Sequence, residues 1–149
     1  MKSRAMRSRS ISAIVMLFFS CFGCSSALSE DERGWICVGE FATGFSYVEG
    51  SGWRASGFKP ETYIVKKPDV NDIKGVRGDV YWVVKKLDDN TARHFCQEDG
   101  KLYLYCEGIY GTFAINKENR RFQHVYPIGY LQDWRRDNPL ILIGKCTNF

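Results

Sequence analysis

Histidine is scarce in this chain, with His94 and His124 the only two in 149 residues, and the short motifs that mark common catalytic sites are missing. No G-x-S-x-G elbow, H-E-x-x-H pair or phosphate-cradling glycine loop occurs. A Ser/His/acid or Cys/His arrangement would therefore have to recruit one of the two histidines, and both fall within segments that read as strands. Their plainer reading is as half-buried strand histidines beside a small core. Glu40, Glu107 and Asp133 could form a carboxylate pair in space, but nothing in their spacing selects them. No catalytic residue is assigned on sequence grounds. A small cell-wall-directed hydrolase, working through His94 or His124 with a nearby carboxylate, is kept as the enzymatic alternative.

Long apolar runs are also missing. The stretch from Ile11 to Phe19 is apolar apart from Ser12, far short of the roughly 20 residues that a membrane-spanning helix requires. It follows the cations Lys2, Arg4, Arg7 and Arg9 and precedes the small residues Gly23, Ser25, Ser26 and Ala27, which is the order of a secretory signal peptide. The expected organisation is a signal peptide over residues 1–27, a flexible polar start over 28–34 and one domain over 35–149. Cys24 or Cys21, each behind a degraded lipobox, gives a lipid-anchored alternative to a secreted or periplasmic protein. Net basicity disappears with the leader, since four of the 21 basic residues lie in it and 17 remain against 17 acids. That balance argues against nucleic acid or an anionic membrane surface as partner, and leaves a lipid anchor as the membrane link.

With residues 1–27 removed, Cys37, Cys96, Cys106 and Cys146 remain, an even number suited to disulfides in an oxidising compartment. Three pairings are open to them. Cys96 and Cys106 flank Gln97-Glu98-Asp99-Gly100, whose Asp-Gly suits a hairpin turn, so these two can face each other across neighbouring strands. Cys37 and Cys146 would then tie the first strand to the last. No C-x-x-C survives cleavage and the histidines lack ligand spacing, so neither a metal nor a cofactor is expected.

What the chain has in quantity is aromatic side chains, 15% of the total, spread through short segments of alternating polarity. Residues 110–130 read as a central hairpin, with Phe113 and Ile115 on one face of its first strand and Phe122, His124 and Tyr126 at period two on its second. Pro127 is expected to mark a bulge or an edge in that second strand. A glycine-rich turn joins two further strands within 43–58, and 62–65, 80–84, 92–96, 102–106 and 140–143 supply the rest. Trp35 to Val38 is apolar on both faces, as a strand covered on each side or lying at a closure seam would be. Residues 68–79 read as a loop with one helical turn near Val70 to Ile73. The expected fold class is all-β: a single small antiparallel barrel, or a barrel-like sandwich, of about eight strands.

Phe45, Trp53, Phe58, Trp82, Phe113 and Phe122 are read first as core. Tyr103, Tyr105, Tyr110, Tyr130 and Trp134 are the aromatic candidates for an exposed contact surface, and Trp134 with Arg135 and Arg136 forms the most suggestive cluster. In its W-x-C strand (Trp35, Ile36, Cys37), A-T-G-F segment (Ala42 to Phe45), Phe95-Cys96 segment, Arg121-Phe122 strand, Gly129-Tyr130 pair and closing I-G-K-C (Ile143 to Cys146), the chain resembles a group of small exported bacterial or phage-associated proteins. The resemblance implies an extracytoplasmic β-rich domain and carries no activity with it. The expected role is a non-enzymatic binding module of the cell envelope or secreted space, taking an envelope protein, a glycan or a small apolar ligand. A structural envelope protein is the third alternative.

Overall fold

Alternating polarity with β-branched and aromatic residues favours extended backbone. A computed structural model, which describes residues 33–98, 100–132 and 135–149, is accordingly built almost wholly of strands. In chain order they are β1 (Gly34–Val48), β2 (Gly52–Gly57), β3 (Thr62–Lys66), β4 (Trp82–Lys86), β5 (Ala92–Cys96), β6 (Tyr103–Gly108), β7 (Gly111–Asn116) and β8 (Arg121–Tyr126), then a helical turn α1 (Ile128–Leu131) and β9 (Leu140–Asn148). From β3 to β9 each strand pairs antiparallel with the next. β1 pairs with β3 along one edge and with β9 along the other, which closes an eight-stranded barrel. β2 folds back on the far half of β1, from Thr43 to Val48, as an additional strand beyond the barrel wall. The expected signal peptide, with Cys21 and Cys24, lies outside the described residues.

Period-two alternation sends every second side chain into the barrel. Trp35, Cys37, Tyr63, Val65, Trp82, Val84, Cys96, Leu104, Cys106, Phe113, Ile115, Phe122, Leu142 and Cys146 form one buried cluster. Each large apolar side chain removed from water in this way contributes roughly 1.5–3 kcal/mol. Phe113 stacks on Phe122 at 5.1 Å and meets Tyr63 edge-on at 5.3 Å. The lower end, where β1 begins and β9 ends, is filled by Trp35 and Trp82 with ring centroids 4.5 Å apart. The ammonium groups of Lys67 and Lys117 lie 3.8 Å and 5.8 Å from the centroids of Trp82 and Trp35, within range of cation–π attraction. Where β9 meets β1, Gly144 lies opposite Gly39. A Cβ on Gly144 would come within 2.1 Å of the Val38 carbonyl oxygen and 2.7 Å of the Phe122 ring, so this closure needs a residue without a side chain.

The trace departs from the sequence reading in a few places. The strand after the central turn stops at Tyr126, and residues beyond Pro127 coil into α1 rather than continuing past a bulge; proline has no N–H to offer the ladder. The strand expected to begin at Val80 begins at Trp82. Trp35 to Val38 does lie on the closure seam, but only Trp35 and Cys37 are covered, while Ile36 and Val38 face outward. Residues 70–75 form turns, held by Asp69 Oδ1 accepting from the backbone N–H groups of Asn71 and Asp72 at 3.0 and 3.1 Å. The nearly buried Asp72 carboxylate ties this loop to Lys85 and, at 3.6 Å, to Lys66.

Both disulfides are the pairs that the hairpin geometry suggested, Cys96–Cys106 and Cys37–Cys146. Cys37 and Cys146 are directly opposite in the β1–β9 ladder, so the bridge pins the seam of the barrel. Closing the 109-residue separation restricts the unfolded chain by about 5 kcal/mol in the chain-entropy treatment, against about 3 kcal/mol for the 10-residue separation of Cys96 and Cys106. The double replacement Cys37→Ala/Cys146→Ala should accordingly lower stability by more than Cys96→Ala/Cys106→Ala. Urea midpoints of the two variants test the order, and equal losses would contradict it.

Candidate functional site

The interior of the barrel is occupied by its own side chains, which directs attention to the wall. Across the outer faces of five adjacent strands, residues fall into register as Tyr105, Ala114, Gln123, Ile143 and Phe41. Ala114 leaves a low floor, Tyr105 stands at one end and Phe41 at the other. These two aromatic side chains are 62% and 69% exposed. Phe41 faces outward because β1 carries one extra residue there: the pairing passes from Gly39 opposite Gly144 to Phe41 opposite Ile143, leaving Glu40 unmatched. Such a bulge changes the phase of alternation, and Glu40 and Phe41 both point to solvent.

The result is a groove of about 460 Å³ along the wall, walled by Tyr103, Tyr105 and Phe41 and floored by Ala114, Gln123 and Ile143. Four strand spacings of about 4.8 Å separate its aromatic ends, or roughly 19 Å along the curved surface. Tyr103 and Tyr105 stand side by side with centroids 5.8 Å apart and planes tilted by 36°. A second outward row beside the first carries Asn116, Arg121 and Lys145, and Lys145 is paired with Glu40 at 3.0 Å. The groove thus combines flat apolar faces with amide, guanidinium and ammonium groups. It lies on a closed wall whose strands are hydrogen-bonded on both sides, so it offers no free edge for an added strand.

At the upper end, a polar string runs inward from the barrel rim. The Tyr63 hydroxyl lies 2.9 Å from Glu61 Oε2 and 2.9 Å from His124 Nδ1, and His124 Nε2 lies 2.9 Å from the Tyr110 carbonyl oxygen. His94 Nε2 approaches the same carbonyl at 3.3 Å. A carbonyl can only accept, so both histidines carry their proton on Nε2. Neutral His124 and Tyr63 then have two protons for three contacts, and the phenolic proton is shared between the Glu61 carboxylate and Nδ1. Burial pushes the Tyr63 phenol far above its ordinary range, and the Glu61 charge adds to this. Burial raises the Glu61 carboxyl, but hydrogen bonds from Lys86 and Tyr63 outweigh it and hold the group below its usual value. Burial lowers the His124 imidazole, against the pull of the Tyr110 carbonyl and Glu61. His94 and His124 are 0% and 7% exposed, more deeply set than the half-buried strand histidines expected. This string contains no hydroxyl or thiol nucleophile besides the Tyr63 phenol, and it braces the barrel end.

The residues singled out by sequence do not form one site. Trp134 lies outside the described residues. Tyr130 meets Trp53 edge-on at 5.7 Å, Trp53 meets Tyr47 at the same distance, and Arg135 lies 4.8 Å above the Tyr47 ring. These contacts join the β1–β2 hairpin to the segment around α1. Arg136 is exposed beside them. Tyr110 sits under the Arg93 guanidinium at 4.8 Å, on the rim of the upper end. Phe45, read as core, is exposed, and Trp53 and Phe58 are only partly covered. The groove residues Phe41, Ala114, Arg121 and Gln123 were not among the residues singled out by sequence. Their alternation was legible, but the register that aligns them was not. No family model matches the chain, and no curated protein or solved structure matches it at a significant level.

The buried histidines make stability depend on pH. Burial, then the nearby His124, lowers the His94 pKa to about 4 from 6.5, against the Tyr110 carbonyl. Between these values the unfolded chain binds a proton that the folded chain refuses, so this contribution is full above pH 6.5 and is lost as pH falls toward 4. The loss amounts to about 3 kcal/mol. The wild-type stability measured against that of His94→Gln, whose amide can still donate to the Tyr110 carbonyl, should decline by this amount across the window. Denaturant titrations at several pH values check it, and a constant difference would rule it out.

Proposed function

We propose that this protein is an exported, non-enzymatic binding module of the cell envelope or secreted space, and that it holds a glycan in the groove on the outer wall of its barrel. The observation that carries the reading is the registered row from Tyr105 across Ala114, Gln123 and Ile143 to Phe41, with a bulge turning the last aromatic outward. Sugar rings present apolar C–H faces together with hydroxyl groups. Flat aromatic side chains meet the first, and Gln123, Asn116 and Arg121 can donate to or accept from the second. Concave sites with apolar walls and a few convergent polar groups are the usual form of a binding site. The length of the groove suits an oligomer better than one small molecule. Two disulfides inside the barrel support an oxidising compartment.

The test is a titration of the oxidised full-length chain with a panel of oligosaccharides, followed by heteronuclear NMR. Backbone resonances of Ala114, Gln123 and Ile143 should move, Ala114→Trp should abolish the response by filling the floor, and Tyr105→Ala should weaken binding by about tenfold, or roughly 1.4 kcal/mol. Oligosaccharide shifts confined to another face, or the absence of any, would refute the proposal.

A further inference from the structure

We infer that the glycan taken by this groove is acidic, and that a sugar carboxylate is received by Arg121; this rests on the glycan reading above and gives it a chemical class. Arg121 lies between Asn116 and Lys145 in the row that borders the aromatic floor. Like charges on neighbouring strands repel, and Arg121 is directly opposite Lys145. Glu40 pairs with Lys145 at 3.0 Å, which leaves one positive charge uncompensated among the three. No carboxylate among the described residues pairs with the Arg121 guanidinium, and its side chain is exposed at the groove edge.

Several other surface cations in the fold do have carboxylate partners. Lys66, Lys85 and Lys86 lie on Asp69, Asp72 and Glu61, and Arg93 lies on Asp89. Arg121 lacks one and stands beside a concave aromatic surface. A guanidinium presents a planar fork of donors that matches a carboxylate in two parallel hydrogen bonds. A uronic-acid unit in the groove would place its ring toward Tyr103 and Tyr105 and its carboxylate toward Arg121, with Asn116 beside both. The ligand anion would also relieve the repulsion between Arg121 and Lys145.

Trigalacturonate and its methyl ester, which has the same rings without the charge, are the probes. Titrated into the oxidised full-length chain, the acid should bind at least about tenfold more tightly than the ester at moderate ionic strength, and added salt should narrow the gap. Arg121→Gln should bring the ratio of the two affinities close to one. Equal affinity of acid and ester, with groove resonances moving for both, would overturn the acidic preference and leave the glycan site standing. Movement of the groove resonances with neither probe would overturn this inference, and failure of the whole oligosaccharide panel would overturn the glycan site with it. An acid preference that persists in Arg121→Gln would move the carboxylate away from this residue and also overturn the inference.

Discussion

The structure depends on the closure of β1 against β9. Without it the sheet would be an open ribbon with two long unpaired edges, each a template for association with other chains. The closing ladder runs from Trp35 opposite Asn148 to Gly44 opposite Leu140, and Cys37–Cys146 fixes its register covalently. A slip by one residue would turn every inward side chain of β9 to solvent, and the disulfide forbids it. The same ladder needs Gly144 and Gly39 facing each other, so that the two strands can cross closely beneath the Phe122 ring.

Closure also explains why the groove forms on the outside. Once Trp35, Trp82, Phe113, Phe122 and the two disulfides occupy the interior, a concavity of this kind can form only on the outer surface. Strand order then decides which side chains meet. Tyr105 and Phe41 are 64 positions apart in the chain, yet pairing along four successive ladders puts them at two ends of one row.

Much of the fold was legible because its signals are local. Period-two alternation located most strands, cysteine parity with the Asp-Gly turn pointed to the pairing, and the doubly apolar Trp35 to Val38 marked the seam. The groove was not legible, for two reasons. Cross-strand register is a long-range property that no window of sequence contains, and the bulge at Glu40 inverts the parity by which Phe41 would have been assigned to the core. Trp134, Arg135 and Arg136 drew attention because they are adjacent in sequence. In space Arg135 stacks on Tyr47 and Tyr130 on Trp53, fastening the hairpin to the segment beside it.

The two mouths of the barrel are stoppered by different chemistry. At one end the indoles of Trp35 and Trp82 make a plug whose cohesion does not change with acidity. At the other, Glu61, Tyr63, His124 and the Tyr110 carbonyl make a latch whose proton inventory does. Acid should therefore act on this molecule with polarity, loosening the rim near Tyr110, where the buried histidines lie, before the indole end.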